Sequence, residues 1–344
     1  MPTVNLTIFF NGVSTAYFAI NAAQILTRKK KTRLQTILGV IFAYWALMTA
    51  KDMILFMPGH YSPTILDTVQ IADGWGALTV ACLLFEITMP GWVTWKRMAM
   101  LAVPFFIFTV IYIIIPSHTI ATIYMVFLAL FGTTTLQIGY AKAEQYTRYL
   151  YGNFSDIENM NISWLRKVYV AGFIYMLLWV VTSVMRSPIA DSLIYVAAIP
   201  LWQIALHNCM KLKPVKPEPN DDEAEIPAGN DSRYYPFAGI MEDIVEREEL
   251  YLNPKLSLVH LAARLGTNRT YLSNYFNNVK GTTFYDYINA LRILKKSIPL
   301  MQTHPEYSFD YVARQSGFNS LSTFQRAFSK HTGTTPSKYF AKKD

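Results

Sequence analysis

Long apolar stretches fill the first 210 residues of this chain and restrict its fold more than any other feature. Only 16% of the chain is charged, whereas about 25% is usual in soluble proteins. Each stretch is about as long as a bilayer-spanning helix, so we predict an all-α amino-terminal domain, 1–210, with about seven transmembrane helices. Polar residues interrupt the first and fifth stretches, so six spans remain the alternative. The stretches are 6–26, 34–57, 66–89, 98–115, 120–140, 168–185 and 189–208.

Positive charges alternate between the loops that join these stretches. Fourteen Lys and Arg residues lie in the first, third and fifth loops and at the exit, whereas the intervening loops contain one, Arg186. Because short cytoplasmic loops are enriched in Lys and Arg, we expect the amino terminus outside and the carboxyl terminus inside. The chain is therefore predicted to cross the cytoplasmic membrane several times.

Charged side chains inside the apolar stretches are few, and two of them match in depth. Lys51 and Asp73 stand roughly 9 and 10 Å from the outer ends of neighbouring spans, at about 1.5 Å per residue. One interpretation is an intramembrane ion pair that lines an outward-facing cavity and receives a signal. The alternative is a structural pair, or two side chains that reach separately toward the membrane surface.

A proline-rich acidic segment, 211–236, follows the apolar domain. Such a composition buries too little apolar surface to fold, so we predict a linker that spans about 28 Å as a random coil. From Phe237 onward, apolar residues recur at helical spacing. This helix either packs on the domain that follows or dimerises the chain.

The carboxyl-terminal region is basic and contains an internal repeat. Residues 250–344 have a net charge of +9, which favours an anionic partner. The string LAARLGTN at 261–268 resembles VARQSGFN at 312–319. Each copy predicts a short helix capped by Ser257 or Ser308, a turn at Gly266 or Gly317, and a second helix. We place these two helix-turn-helix motifs at about 256–280 and 308–332.

The second helix of each motif has an apolar and a polar face. Leu272 and Phe276, and likewise Phe324 and Phe328, are four residues apart and predict a buried stripe. Arg and Asn on the opposite face can form paired hydrogen bonds with guanine and adenine edges in the major groove. The polar faces contain Arg269, Thr270, Ser273, Asn274 and Asn277, then Ser322, Gln325, Arg326 and Ser329. The lysines available for phosphates are Lys255, Lys280, Lys330, Lys338, Lys342 and Lys343.

Three strings carry a family resemblance: YLNPKLSLVHLAARLGTNRTYLSNYF, INALRILKKS and FDYVARQSGFNSLSTFQRAFSKHTGTTPSKYF. Together they resemble the DNA-binding domain of the AraC/XylS family of bacterial transcription regulators over residues 251–340. The resemblance implies a seven-helix domain, 237–344, in which a long middle helix, 284–300, holds two recognition helices. Two departures, Lys296 and Pro299, predict a late kink or an early end of that helix. The positions that match the family's base-facing surface are Arg269, Thr270, Ser273, Asn274, Leu321, Ser322, Gln325 and Arg326.

These features together predict a membrane-anchored, sequence-specific transcription regulator that couples a membrane or periplasmic signal to promoter binding. The expected partners are double-stranded DNA, the lipid bilayer and a small-molecule or membrane-protein signal, and a homodimer is left open. The alternative is a transporter or channel with a cytoplasmic regulatory helix-turn-helix domain. The six histidines are scattered and no zinc, phosphate-loop or nucleophile motif occurs, so we expect no enzyme, metal or cofactor.

Overall fold

The chain is all-α, as the sequence predicts. The computed structural model describes residues 2–57, 62–185, 187–217 and 235–341, and within these ranges the regular structure is helical apart from one isolated β-bridge. Contacts divide the chain into two units. The amino-terminal unit comprises Met1–Tyr146 and Ile162–Lys216, and the carboxyl-terminal unit comprises Thr147–Asn161 and Pro217–Asp344.

Seven helical segments in the first 211 residues are long and apolar enough to cross a membrane. They match the seven predicted stretches, and the third segment consists of two helices. The helices are α1 (Pro2–Leu26), α2 (Arg33–Lys51), α3 (Pro63–Gly74), α4 (Gly76–Thr88), α5 (Trp95–Ile114), α6 (His118–Asn153), α7 (Leu165–Met185) and α8 (Pro188–Lys211).

The third segment is interrupted at Trp75, which the sequence pattern did not predict. Trp75 lies between two glycines, and its backbone N–H donates to the Ala72 carbonyl over 3.3 Å, a tighter turn than in an α-helix. A Cβ atom on Gly74 would lie 2.4 Å from the Tyr124 ring, and one on Gly76 would lie 2.7 Å from the Trp45 ring. Small residues on both sides of the turn therefore let two aromatic side chains approach the backbone.

The polar residues that weakened two of the predicted spans are hydrogen-bonded within the bundle. The Asn11 amide donates to the Thr49 carbonyl over 2.9 Å, which joins α1 to α2. The hydroxyls of Thr133 and Thr134 each donate to a carbonyl one turn earlier in α6, both over 2.8 Å. Because these donor groups are paired inside the protein, they are compatible with long apolar helices.

Glu86 is buried at the end of α4, where its carboxylate is satisfied by three donors. The Arg33 guanidinium donates to one oxygen over 2.8 Å, and the backbone N–H groups of Gly91 and Val93 each donate over 2.9 Å. A charged group removed from water requires such partners. Glu86 therefore connects the loop after α4 to the start of α2 through these hydrogen bonds.

The carboxyl-terminal unit contains the seven helices implied by the family resemblance, counted over its described residues. The middle helix is continuous from Phe284 to Thr303 and widens into a π-helical turn at Arg292–Ser297 just before Pro299. The predicted late kink thus takes the form of a widened turn, and the helix does not end at Pro299. The elements are α9 (Ala238–Arg247), α10 (Leu258–Arg264), α11 (Arg269–Asn274), α12 (Phe284–Leu291) with α13 (Ile298–Thr303), α14 (Phe309–Gln315), α15 (Leu321–Thr332) and α16 (Pro336–Ala341).

Two hydrophobic cores lie on either side of the middle helix, one for each helix-turn-helix motif. Met241 and Val245 of α9 are fully buried in the first core. Of the two interpretations of this helix, the structure therefore confirms packing on the domain. Most of the linker, residues 218–234, lies outside the described residues, and so do Lys342 and Lys343.

Candidate nucleic-acid interface

The first helix-turn-helix motif is built from local hydrogen bonds that the sequence predicts. The Ser257 hydroxyl accepts from the His260 N–H at the start of α10, and Gly266 has a φ of 66° at the turn. The Asn268 side chain then accepts from the Tyr271 N–H over 2.8 Å and begins α11. These contacts satisfy N–H groups that a helix start otherwise leaves without partners.

The second motif repeats this construction. Ser308 caps α14, Ser320 caps α15, and Gly317 has a φ of 83° between them. A Cβ atom on Gly317 would also lie 2.6 Å from the Leu252 carbonyl oxygen. Gly317 is therefore required both for its left-handed backbone and for this close approach.

The apolar faces of both recognition helices are buried as predicted. Leu272 and Phe276 in the first motif, and Phe324 and Phe328 in the second, are each at most 1% exposed. Burial of this stripe determines the rotation of each helix about its axis. The opposite face of each helix is therefore the one that carries the candidate base-contacting side chains.

The candidate residues of the first recognition helix are all half-buried. The Arg269 guanidinium donates to the Asn153 side-chain oxygen over 3.3 Å. The Asn277 amide donates to the Ser273 hydroxyl over 3.4 Å. The Thr270 hydroxyl and the Asn274 amide nitrogen are buried without a hydrogen-bond partner among the described residues.

The candidate residues of the second recognition helix are more accessible. Ser322, Gln325 and Arg326 are exposed, and Leu321 is half-buried. The Arg326 guanidinium donates to the Ser322 carbonyl and to the Thr323 hydroxyl, both over 3.3 Å. These contacts hold the Arg326 side chain along the helix. The two motifs therefore differ in how far their polar faces are covered.

The lysines proposed for phosphate contacts fall into two groups. Lys255 and Lys338 are exposed. Lys280 forms an ion pair with Glu242, and Lys330 forms one with Asp286 over 2.6 Å. Each pair has one exposed and one half-buried partner, and ion pairs in contact with water contribute little to stability, so both lysines can exchange their carboxylate for a phosphate at small cost. Sequence reasoning missed these pairs because their partners are distant in the chain.

Arg292 is the most informative residue that sequence reasoning missed. Its side chain is 1% exposed and lies on the middle helix, with its guanidinium 5.4 Å from the centre of the Phe318 ring. Burial lowers the pKa of Arg292 to about 10, so it stays charged at neutral pH. The guanidinium donates to the carbonyls of Tyr251, Asn253 and Ser155 and to the side chains of Asn289 and Ser155, over 2.6 to 3.1 Å.

The Ser155 contact brings a distant segment into the DNA-binding unit. The 147–161 segment joins the fifth and sixth apolar spans in sequence, and it was assigned to the amino-terminal domain in the sequence analysis. In the structure, the Ser155 N–H and hydroxyl both donate to the Leu256 carbonyl, over 3.2 and 2.7 Å. Phe154 forms a β-bridge with Ser257, directly before the first motif. The 147–161 segment therefore forms part of the carboxyl-terminal unit.

The same segment also contacts the second motif. The Asn319 amide donates to the Asp156 carboxylate, and the rings of Tyr151 and Tyr285 lie 4.8 Å apart in an edge-to-face arrangement. A cavity of about 100 Å³ lies between the segment and α15, lined by Glu158 and by Arg326 among others. Asp156 of the segment thus contacts Asn319, just before α15. Glu158 lines the same cavity as Arg326 of α15.

Within the amino-terminal unit, the structure brings together the two charged residues that the depth argument paired. The Lys51 ammonium lies 2.7 Å from the Asp73 carboxylate and 2.5 Å from that of Asp52. The Tyr195 hydroxyl donates to the other oxygen of Asp52 over 3.0 Å. Sequence reasoning paired Lys51 with Asp73 alone and missed Asp52, and the role of this group in signalling stays a prediction.

Among the described residues, no group of three or more His, Cys, Asp or Glu side chains could hold a metal ion. The two candidate helix faces of the carboxyl-terminal unit carry guanidinium, amide and hydroxyl groups. These are the groups that read base edges and bind phosphates in duplex DNA.

Comparison with known proteins confirms the resemblance of the carboxyl-terminal domain. Residues 261–342 match a family model described as a helix-turn-helix domain. The chain is 36% identical over 103 residues to the right origin-binding protein of Escherichia coli K12 and to the transcriptional regulator Rob of Salmonella typhimurium. The match covers 30% of this chain and 35% of each relative. The chain thus spans about a third of the length of these relatives.

A shorter relative is covered more completely. The chain is 29% identical over 102 residues to the probable transcription factor PqrA of Proteus vulgaris, a match that covers 29% of this chain and 82% of the relative. No solved structure matches the chain. The match to the family model lies in the carboxyl-terminal third of the chain.

Proposed function

We propose that this protein is a membrane-anchored transcription regulator that binds promoter DNA sequence-specifically and adjusts this binding to a signal received in the membrane or periplasm. The carboxyl-terminal unit reads duplex DNA with α11 and α15. The amino-terminal unit lies in the inner membrane with its amino terminus outside. The basic loops and the DNA-binding unit are then on the cytoplasmic side, where DNA is accessible.

Two capped helices, α11 and α15, support the DNA-binding part of the proposal. Because the apolar face of each helix is buried, its polar face is directed away from the core. The most exposed candidates, Gln325 and Arg326, stand next to each other on α15. A guanidinium can form two parallel hydrogen bonds with a guanine edge, and an amide can do so with adenine. The relatives named as transcription regulators match this region, which supports the same function.

The membrane part is supported by the length and composition of the seven amino-terminal helical segments. Many of their large apolar side chains are exposed, including Phe106 and Ile113 of α5 at 62% and 70%. Apolar surface on this scale requires a non-aqueous environment. The buried polar contacts of Asn11 and Glu86 fit the same environment, because polar groups surrounded by lipid must be satisfied within the protein.

The position of the 147–161 segment is the observation that supports coupling between the membrane spans and DNA binding. It is joined covalently to the fifth and sixth apolar spans, and it binds Arg292 at the junction of the two motifs. It also engages Arg269, a candidate base-contacting residue, through Asn153. A change in the spans that shifts this segment would therefore alter both the junction and the availability of Arg269.

The proposal is tested by selecting bound DNA from a random duplex library with the full-length protein in lipid nanodiscs. We expect enrichment of a site with two elements about one helical turn apart, because two recognition helices read successive major-groove segments. The affinity for this site should fall with salt, with a log-log slope near about −5 if about six phosphates are neutralised.

The matched control is the double variant Arg269→Ala/Arg326→Ala in the same nanodiscs. It should retain a salt-dependent affinity for any duplex and lose the enriched site, because phosphate contacts remain while base contacts are removed. Failure of the wild-type protein to enrich any sequence, or binding that does not respond to salt, would contradict the proposed function.

A further inference from the structure

The bundle of the amino-terminal unit contains a cavity of about 220 Å³. Its walls are largely apolar and include the rings of Phe18, Trp45, Trp179 and Trp202. A cavity of about 150 Å³ is large enough to bind benzene, so this one has room for a molecule of about nine non-hydrogen atoms. Tight interiors rarely leave a void of this size without a function.

One end of the cavity is acidic. Asp52 and Asp73 both line it, and they share a single ammonium, that of Lys51. A second cavity of about 70 Å³ adjoins the same place and is lined by the same two aspartates, together with Leu55 and Leu66 near the outer ends of their helices. Two carboxylates stand beside one ammonium, so a second cation that enters this site of low polarity can pair with a carboxylate.

A second, independent feature indicates a ligand in the larger cavity. Ser14 lines the cavity and is fully buried, yet its hydroxyl has no hydrogen-bond partner among the described residues. Buried polar groups are nearly always satisfied, and leaving one unpaired is destabilising. The hydroxyl is therefore positioned to bond with a polar group of a bound molecule.

We propose that this cavity binds a small hydrophobic monocation, an organic amine of about nine non-hydrogen atoms. Its ammonium lies beside Asp52 and Asp73, and its apolar part lies against the aromatic wall formed by Trp45 and Trp202. Aromatic faces also attract cations, which adds to the preference for an amine. The claim that this ligand is the signal of the regulator rests on the proposed function. Binding of the ligand itself can be measured without DNA.

The test uses the full-length protein in nanodiscs of zwitterionic phosphatidylcholine, which do not concentrate cations at their surface. Three probes of nearly equal size are titrated: 2-phenylethylamine, 2-phenylethanol and phenylacetate. We expect the amine to raise the melting temperature saturably and to bind at least about tenfold more tightly than the alcohol, with phenylacetate weakest, because only the amine pairs with a carboxylate. Equal binding of amine and alcohol would overturn the assignment to a cation.

Cavity variants separate a specific site from general partitioning into lipid. A Cβ atom on Gly172, which lines the cavity, would meet no atom within 4 Å, and the same holds for Gly12, which does not line it. We expect Gly172→Leu to fill the cavity and weaken amine binding by at least about tenfold, and Gly12→Leu to leave it unchanged. Equal binding to both variants would assign the amine to the lipid and overturn the site.

Two further readouts keep the result independent of any one variant. Ser14→Ala should weaken amine binding by about threefold to tenfold, because it removes one hydrogen bond without closing the cavity. The amine should also change the DNA affinity of the wild-type protein and not that of Gly172→Leu. Saturable amine binding with an unchanged DNA affinity would retain the site and overturn its role as the signal.

Discussion

Arg326 is the side chain from which most of the base selectivity of the second motif is expected. It is exposed on α15, and its hydrogen bonds to Ser322 and Thr323 keep it aligned with the helix. Arg269 in the first motif occupies the equivalent surface but is half-buried and bonded to Asn153. Without DNA, Arg326 is therefore accessible, whereas Arg269 is hydrogen-bonded to Asn153.

We predict that Arg326→Ala lowers the affinity for the selected DNA site by about 1 to 3 kcal/mol and relaxes the preference at one base pair. The measurement is a binding titration against all single-base variants of the site. Arg314→Ala is the matched control, since Arg314 is exposed on α14 and paired with Asp310. A uniform loss across all sequences would reassign Arg326 to a phosphate contact.

His331 makes the stability of the DNA-binding unit depend on pH. Burial lowers the pKa of His331 below its ordinary value of 6.5, an effect that nearby Asp286 opposes and Lys330 reinforces. The folded state therefore binds a proton less readily than the unfolded state. Stability attributable to this residue is complete above pH 6.5 and declines as the pH falls through that value.

We therefore expect the wild-type unit to lose more thermal stability between pH 7.5 and pH 5.5 than the His331→Gln variant loses, because glutamine removes the titration. The measurement is the melting temperature of the full-length protein in nanodiscs at both values of pH. An identical decrease in the two proteins would show that the proton binds elsewhere.

At the scale of elements, local signals in the sequence identified most of what the carboxyl-terminal unit contains. The caps Ser257 and Ser308, the positive-φ glycines Gly266 and Gly317, and the buried stripes were all predicted because each depends on neighbours within a few residues. The same reasoning identified the apolar helices, since length and composition suffice for them.

The elements that escaped prediction depend on partners far away in the chain. Arg292 reads as an ordinary charged residue on a helix, and only the fold brings Ser155 to it from 137 positions earlier. The break at Trp75 depends on aromatic side chains of other helices, and the hydrogen bond from Tyr195 to Asp52 depends on α8. Sequence periodicity carries no information about such contacts.

The 147–161 segment gives a prediction at this scale. We expect the double variant Asn153→Ala/Asp156→Ala to increase DNA affinity by about threefold to tenfold, because it releases Arg269 and removes a carboxylate from beside Asn319. Asn159→Ala is the control, since Asn159 is an exposed residue of the same segment. Affinity is measured in nanodiscs with the selected duplex, and a decrease in the double variant alone would mean that the segment assists binding.

The whole molecule consists of two units whose chemistry differs completely. The amino-terminal unit exposes apolar helix surfaces and contains an acidic-ended cavity, whereas the carboxyl-terminal unit carries two polar helix faces suited to DNA. Their junction in sequence is double, since the chain enters the carboxyl-terminal unit at 147–161 and again after Lys216. Under the proposed function, this double connection would let a signal reach the carboxyl-terminal unit while that unit stays tethered to the membrane.

The most direct test of this account is genome-wide capture of DNA cross-linked to the intact protein in living cells, with Arg269→Ala/Arg326→Ala as the matched control. We predict discrete promoter sites for the wild-type protein, recovered from the membrane fraction and lost in the double variant. Recovery of the same DNA with both proteins, or of none above background, would contradict the claim that this membrane-anchored chain reads DNA.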